Sequence, residues 1–242
     1  MDYRFIVYII FGVLPSLVWL GYYLLKDSHP EPKKTILRVF LWGGAMTIPV
    51  LLLQLSFTSL LGQFNVDSIV RNIIHGFFII AFIEEFFKFL VVKLKVLNSP
   101  DLDEPLDVML YMIVSALGFA AFENILYLFG ARGSLLSFDQ LIQGAIFLSF
   151  IRFIGATFLH TLCSGVVGYF LALEISNPRK KFFYAESGLI TATILHGIYN
   201  LAIINLKNYE TLIMLFIILL TFAFLTLVAF RNLRHMKSVT KI

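Results

Sequence analysis

The sequence predicts an all-α integral membrane protein, a polytopic bundle of about seven transmembrane helices, or eight if the longest span is broken. Of the 242 residues, 59% are hydrophobic and only 14% are charged, whereas a soluble domain is roughly half apolar and a quarter charged. The mean hydropathy is +0.88. Apolar runs of about 20 residues, the length that crosses a bilayer as a helix, follow one another along the chain.

Seven such runs can be delimited, and together they predict a single integral membrane domain over residues 1–242. They lie at about 5–25, 37–60, 73–96, 106–130, 140–174, 185–206 and 210–230. The first lacks a basic leader and a small-residue cleavage site, so we expect a retained helix. The fifth is too long for one straight span, and we expect it to tilt, to extend beyond the bilayer, or to break near Gly155 or Gly165.

Lysine and arginine residues are distributed unevenly between the two sets of loops. Thirteen fall in the first, third and fifth loops and the C-terminal tail, with the adjoining helix ends, and four fall in the opposite set. The positive-inside rule therefore predicts a multi-pass protein of the cell membrane with its N-terminus outside and its C-terminus cytoplasmic. The same excess of basic residues in one set of loops accounts for the net charge of +4. The charge is therefore no sign of nucleic-acid binding, and no nucleic-acid partner is expected.

Polar side chains that are costly in a bilayer fall on four consecutive spans. Charged residues at this depth normally face the bundle interior and mark function. We therefore expect the site within residues 73–206, with the first, second and seventh spans as scaffold. The residues are Glu84, Glu85 and Lys88 in the third span, Glu123 and Asn124 in the fourth, Arg152 and His160 in the fifth, and His196 and Asn200 in the sixth.

Helical spacing suggests how these charges are paired. Glu84 and Glu85 precede Lys88 by four and three residues, so either carboxylate can share a helix face with the ammonium group. We expect Lys88 to neutralise one glutamate while the other faces a cavity. Arg152 is expected to be the charge partner of Glu123 or of Glu85.

The same residues suit hydrolysis. Glu84 or Glu85 supplies a carboxylate base, His160 and His196 supply imidazoles, and Asn200 can donate a hydrogen bond to an oxyanion. Two histidines and one glutamate also form a common catalytic zinc set. If a metal is present, its predicted ligands are Glu84, His160 and His196. Spacing leaves both mechanisms open, so the cofactor is either zinc or none.

Other mechanisms and functions fit less well. The chain has no HExxH helix, no Gly-x-Ser-x-Gly elbow and no pair of intramembrane aspartates. Cys163 and Ser164 follow His160 closely, but small residues in spans usually form helix-packing surfaces. A proton-coupled transporter is an alternative, because buried Glu, His and Arg side chains also form proton relays. Another is a non-enzymatic protein that binds other membrane proteins through the same cavity.

Four motifs, in order, resemble those of the PrsW family of intramembrane proteases. "EEFFK" is similar to the family's EExxK motif, and "FENILY" to its FExxxY-like motif. "RFIGATFLHTLCSGVVGYFLA" resembles its Arg- and His-bearing helix, and "LHGIYN" its HxxxN motif. One departure is Asp107-Val108, where the family pattern has Asp-Gly.

The resemblance implies an activity and a set of catalytic residues. The protein that gives the family its name cleaves a single-span anti-sigma factor on the extracytoplasmic side, as part of a stress response, so a membrane-anchored protein substrate is expected. By analogy with the related CAAX prenyl endopeptidases, Glu84 would activate water with His160, while His196 and Asn200 would stabilise the oxyanion. The family's classification as metalloproteases and the glutamate mechanism of these relatives leave the metal undecided.

Overall fold

The computed structural model describes residues 3–27, 29–130, 138–176, 183–204, 209–234 and 236. These residues form helices and their connections, without strands, and the helices make up the seven predicted spans. The helices are α1 (Tyr3–Leu24), α2 (Lys33–Ala45), α3 (Thr47–Gly62), α4 (Ser68–Ile73), π1 (Ile74–Phe82), α5 (Ile83–Lys95), α6 (Pro105–Gly130), α7 (Phe138–Arg152), π2 (Phe153–Thr157), α8 (Phe158–Ser176), α9 (Phe183–Ile204) and α10 (Tyr209–Arg234).

Three of the seven spans are composite. The second consists of α2 and α3, the third of α4, π1 and α5, and the fifth of α7, π2 and α8. The fifth is one continuous helical stretch, and its irregularity, π2, contains Gly155, whereas Gly165 lies within α8. Among the described residues, six helical stretches are long and apolar enough to cross a membrane. The third span, which carries three charges, completes the bundle.

The α-helix of the second span is interrupted where α2 meets α3. Met46 separates the two helices, and Pro49 follows in the first turn of α3. Proline has no N–H to donate to the carbonyl four residues earlier, here that of Ala45, and its ring crowds that carbonyl. Within α3, only Thr47 and Val50 are buried.

Helix α6 is the central element of the bundle. It packs against α1, α2, α5 and α8, and every residue from Pro105 to Ala121 is buried. The closest approach is to α2, where Gly118 lies against the Phe40 carbonyl and Gly43 lies against the Ser115 carbonyl. Small residues at both positions let the two backbones touch, and this contact supports the helix pair against which the third span packs.

We expect Gly118→Ala to destabilise the protein by about 1–3 kcal/mol, the usual cost of overpacking a tight interior. A Cβ at this position would overlap the Phe40 backbone, which cannot move without shifting α2. Gly144→Ala in α7 is the matched control, because a Cβ there meets nothing within 4 Å. Thermal unfolding in detergent micelles measures the difference, and equal stability of the two variants would contradict the close packing.

Acidic side chains make hydrogen bonds near the N-terminal ends of α2 and α6. Asp107 accepts hydrogen bonds from the backbone N–H groups of Asp103 and Glu104 at 3.1 and 2.7 Å, which caps the start of α6. The Tyr111 hydroxyl donates to Glu31 in the first loop. Burial raises the pKa of Glu31, an effect that the Tyr111 hydrogen bond opposes. Asp107 therefore has a structural role at this end of the bundle.

Candidate active site

Lys88 lies at the centre of a cluster of ionisable side chains from the third to the sixth span. Its ammonium group donates to Glu85 Oε1 at 2.8 Å, to His160 Nδ1 at 2.7 Å and to Glu84 Oε2 at 3.4 Å. The Phe119 ring covers it, with the centroid 4.7 Å from Nζ. Lys88 is 0% exposed. All three ammonium hydrogens therefore have partners, and the side chain is held in one position.

Glu85 is the more tightly held of the two adjacent glutamates. Its Oε1 accepts from Lys88 and also lies 3.0 Å from His196 Nδ1, while its Oε2 accepts from the Ser164 hydroxyl at 3.0 Å. The residue is 0% exposed. Buried carboxylates persist when paired and hydrogen-bonded in this way. Glu85 is thus the predicted neutralising partner of Lys88.

Glu84 is held more loosely. Its Oε1 accepts from the Gln54 amide at 3.1 Å, and its contact with Lys88 is the longer one. Its Oε2 lies 3.9 Å from both His160 Nδ1 and His196 Nε2, too far for a direct hydrogen bond. Glu84 is therefore the carboxylate with an oxygen still available between the two imidazoles.

Both ring nitrogens of His160 have partners. Lys88 donates to Nδ1, so the ring proton lies on Nε2, which contacts Glu123 Oε2 at 3.0 Å. Arg152 Nη2 donates to the same Glu123 oxygen at 2.6 Å, which makes Glu123 the partner expected for Arg152. Arg152 also donates to the Asn124 side chain. This chain of contacts joins the fourth and fifth spans and fixes the orientation of the His160 ring.

His196 differs from His160 because, among the described residues, only its Nδ1 lies within hydrogen-bond distance of a partner. Its Nδ1 contacts Glu85, and a carboxylate acceptor there requires the ring proton on Nδ1. Its Nε2 then carries a lone pair that faces Glu84 Oε2. The two imidazole rings lie edge to face, with centroids 5.3 Å apart. Glu84 Oε2 and His196 Nε2 together form the reactive face of the cluster.

Asn200 contacts the protein backbone at the edge of the cluster. Its amide nitrogen donates to the Gly76 carbonyl in π1 at 3.4 Å. Within the described residues, its amide makes no hydrogen bond to the glutamates or histidines of the cluster. Gly197 packs against Phe77 in the same region. Asn200 therefore ties α9 to the segment that precedes Glu84.

Two π-helical segments position the site. The sequence indicates Gly155, which lies in π2, as one of two possible breaks in the fifth span, and it gives no sign of π1. π1 ends directly before Ile83, so its wide turns set the angle at which the adjacent glutamates leave the third span. π2 lies between Arg152 and His160 and lets both side chains reach Glu123. Trp19 donates to the Phe153 carbonyl in π2 at 3.1 Å. Such segments are frequent at functional sites.

Three uncharged polar residues also belong to the site. They are Gln54, which the charge pattern does not indicate, Ser164, and Asn124, which was expected to form hydrogen bonds between helices. Gln54 contacts Glu84 from the second span, which was expected to serve only as scaffold. Ser164 contacts Glu85. Asn124 donates to the Gly12 carbonyl and to Thr157 while accepting from Arg152, which confirms its expected interhelical role. The signal for Gln54 was present, since it is a lone amide in the run "VLLLQLSF".

The trio predicted as metal ligands is drawn together. One ligand atom from each of Glu84, His160 and His196 lies within 4.8 Å of the others. For His160, however, the nitrogen on this side is Nδ1, which already accepts from Lys88. The trio therefore has the ligand types of a zinc site, but the ammonium group of Lys88 lies between its members.

Ser164→Ala is expected to lower cleavage less than tenfold. The hydroxyl donates to a carboxylate, and no imidazole among the described residues is hydrogen-bonded to it that could activate it. Loss of one buried hydrogen bond costs about 1 kcal/mol. Initial cleavage rates of a fluorogenic single-span peptide measure the effect, with Ser187→Ala on the exposed part of α9 as control. Complete loss of activity with unchanged stability would identify Ser164 as a nucleophile.

Comparisons with known proteins agree with the motifs. The sequence model described as "PrsW family intramembrane metalloprotease" matches residues 31–228. The chain is similar to Protease PrsW of Oceanobacillus iheyensis, with 31% identity over 86% of this chain and 88% of the relative. Protease PrsW of Bacillus subtilis shares 26% identity over 82% of this chain and 83% of its own length. No solved structure matches the chain significantly.

Proposed function

Because the chain belongs to the PrsW family of intramembrane proteases, we propose that it cleaves a single-span membrane protein near its extracytoplasmic side, with Glu84 as the base. The observation that carries this proposal is the position of Glu84 Oε2, 3.9 Å from both His160 Nδ1 and His196 Nε2. Glu84 also accepts hydrogen bonds from Gln54 and Lys88. The side chains of Glu84, His160 and His196 are each at most 4% exposed.

In the proposed reaction, water binds between Glu84 Oε2 and His196 Nε2. Glu84 accepts one proton from the water, and the resulting hydroxide attacks the carbonyl carbon of the scissile peptide bond. The proton then passes from Glu84 to the leaving amine as the carbon–nitrogen bond breaks. The Lys88 ammonium supplies positive charge beside the developing oxyanion, a stabilisation that is stronger away from bulk water.

The remaining charged residues position these groups. Glu85 holds both Lys88 and His196, so one carboxylate sets the spacing between the base and its neighbours. Glu123 and Arg152 hold His160, which in turn accepts from Lys88. This assignment differs from the one that the resemblance implied, because His160 has no free nitrogen for water and Asn200 is bonded to the backbone.

An apolar groove supports a membrane-anchored substrate. It lies between α3 and the third span, has a volume of about 380 Å³, and is lined by residues that include Phe57, Leu60, Phe78 and Ile83. Ile83, which lines the groove, directly precedes Glu84 in the chain, so the groove lies beside the helical turn that carries the base. A substrate helix lying in this groove would present its juxtamembrane backbone to the cluster. The excess of Lys and Arg in one set of loops supports an orientation in which cleavage takes place near the outer side of the membrane.

The proposal is tested with the purified chain in proteoliposomes that also contain a panel of single-span membrane proteins with tagged outer segments. We expect release of a tagged fragment, with ¹⁸O from labelled water in one new carboxyl terminus. His196→Gln should lose this activity by about 10²-fold or more, because a displacement of about 1 Å in the position of a reacting group can cost that much.

The control is Glu186→Gln at the exposed start of α9, which should cleave like the wild type. Absence of cleavage from every substrate by a folded wild-type protein would refute the proposal. Accumulation of a solute driven by a pH gradient in the same vesicles would instead support the transporter alternative.

A further inference from the structure

We propose that Lys88 takes the place of the divalent metal ion in this chain, so that the site works without one even though its Glu84, His160 and His196 trio has the composition of a zinc site. The inference rests on the proposed function only in treating this cluster as the reacting centre. It concerns whether an ammonium group or a metal ion supplies the positive charge at that centre. The metal content of the protein can be measured whether or not proteolysis is detected.

The first argument is the position of the ammonium group. Nζ of Lys88 lies 2.7 Å from His160 Nδ1 and 3.4 Å from Glu84 Oε2, and these two atoms are 3.9 Å apart. Zinc binds nitrogen and oxygen ligands at about 2.0–2.2 Å, so an ion bridging this pair would lie close to the line joining the two atoms. Nζ stands beside that line, within repulsive distance of such an ion. The trio therefore does not fit a divalent ion while Lys88 is in place.

The second argument is that the nitrogen His160 would offer to a metal in the trio is already committed. His160 can bind a metal in the trio only through Nδ1, and Nδ1 accepts from Lys88. Its Nε2 points the other way, toward Glu123. A second possible set, Glu85, Cys163 and His196, is similarly engaged, because Glu85 Oε1 and His196 Nδ1 bond to each other and Lys88 donates to the same oxygen.

The third argument is that the Lys88 side chain is enclosed on all sides and cannot move away to make room for a metal ion. It is 0% exposed, covered by Phe119, and bonded through all three hydrogens. Its backbone carbonyl also accepts from Ser115 Oγ at 3.1 Å, which ties this turn of α5 to α6. Removing the ammonium group while keeping the volume would free His160 Nδ1 and both glutamates, and would create the zinc set that the sequence suggests.

The experiment measures zinc in the full-length protein after equilibration with excess zinc chloride and removal of free metal. Wild type is expected to hold well below one zinc per chain, and Lys88→Met about one, as for a three-ligand protein site. Adding His160→Ala to Lys88→Met should abolish the gain. Lys93→Met, the same change at an exposed position of α5, should leave zinc content at the wild-type level. Cobalt absorption spectra provide a second readout of the created site.

Stoichiometric zinc in wild type that is lost in Glu84→Gln would overturn the inference. So would a folded Lys88→Met, or Lys88→Ala if the methionine variant is not recovered, that binds no more zinc than wild type. Proteolysis that is absent from wild type while the zinc results are as expected would contradict the proposed function alone, because metal exclusion by Lys88 would still stand.

Discussion

Glu84→Gln is expected to lower the rate of peptide-bond cleavage by about 10²–10⁴-fold, the range that a positioned general base contributes. Glutamine keeps the size of the side chain and an oxygen acceptor for Gln54, but its amide cannot accept the proton of the attacking water. Because Lys88 retains Glu85 and His160 as partners, the folded state should be little affected. The loss should therefore appear in kcat at unchanged thermal stability.

The measurement is kcat and KM with a single-span peptide substrate in detergent or nanodiscs, since a loss confined to the chemical step lowers kcat and kcat/KM together. Glu186→Gln is the matched control, the same chemical change on the exposed surface of α9. A fall of less than about tenfold in Glu84→Gln would show that another group is the base.

Glu85→Leu is expected to destabilise the protein by about 3–5 kcal/mol, the cost of leaving a buried charge without its partner. Glu85 accepts the short hydrogen bond from Lys88 and also contacts His196 and Ser164. After the substitution, Lys88 would keep only the longer contact with Glu84 and its bond to His160. Activity should be lost as well, because His196 is no longer oriented.

The double variant Glu85→Leu/Lys88→Met separates charge from packing. Removing the ammonium group together with its partner leaves no uncompensated positive charge, so stability should be partly recovered while activity is not. Unfolding in detergent with increasing denaturant measures both variants against Glu186→Leu. A cost below about 1 kcal/mol for Glu85→Leu would mean that Glu85 is not the principal partner of Lys88.

Much of the site could be predicted from local spacing. The pairing of the glutamates with Lys88 follows from separations of three and four residues on one helix, and both pairs are present. The Arg152–Glu123 ion pair was one of two expected options. For Asn200, spacing was not sufficient. Its separation of four residues from His196 predicts that the two side chains share a helix face, but it does not predict that the Asn200 amide donates to the Gly76 carbonyl.

The features that could not be predicted depend on helix geometry and on contacts between spans. The π segments before Glu84 and between Arg152 and His160 change the angle between side chains. No residue pattern indicates the first, and Gly155 indicates only a possible break at the second. Gln54 is hard to predict because an uncharged amide is a weak signal beside three carboxylates. Its contact with Glu84 depends on the packing of α3 against the third span, which spacing along one helix does not specify.

By itself, the sequence determined the membrane environment, the seven spans and the four that carry ionisable groups, because the cost of polar atoms in hydrocarbon is a property of residue type and run length. Only the tertiary structure decided which glutamate is saturated, which histidine has a free nitrogen, and that an ammonium group stands where a metal would bind. Those distinctions rest on contacts between side chains, at 2.7 Å for Lys88 and His160 but 3.9 Å for Glu84 and either histidine. Spacing along one helix cannot specify such contacts between helices.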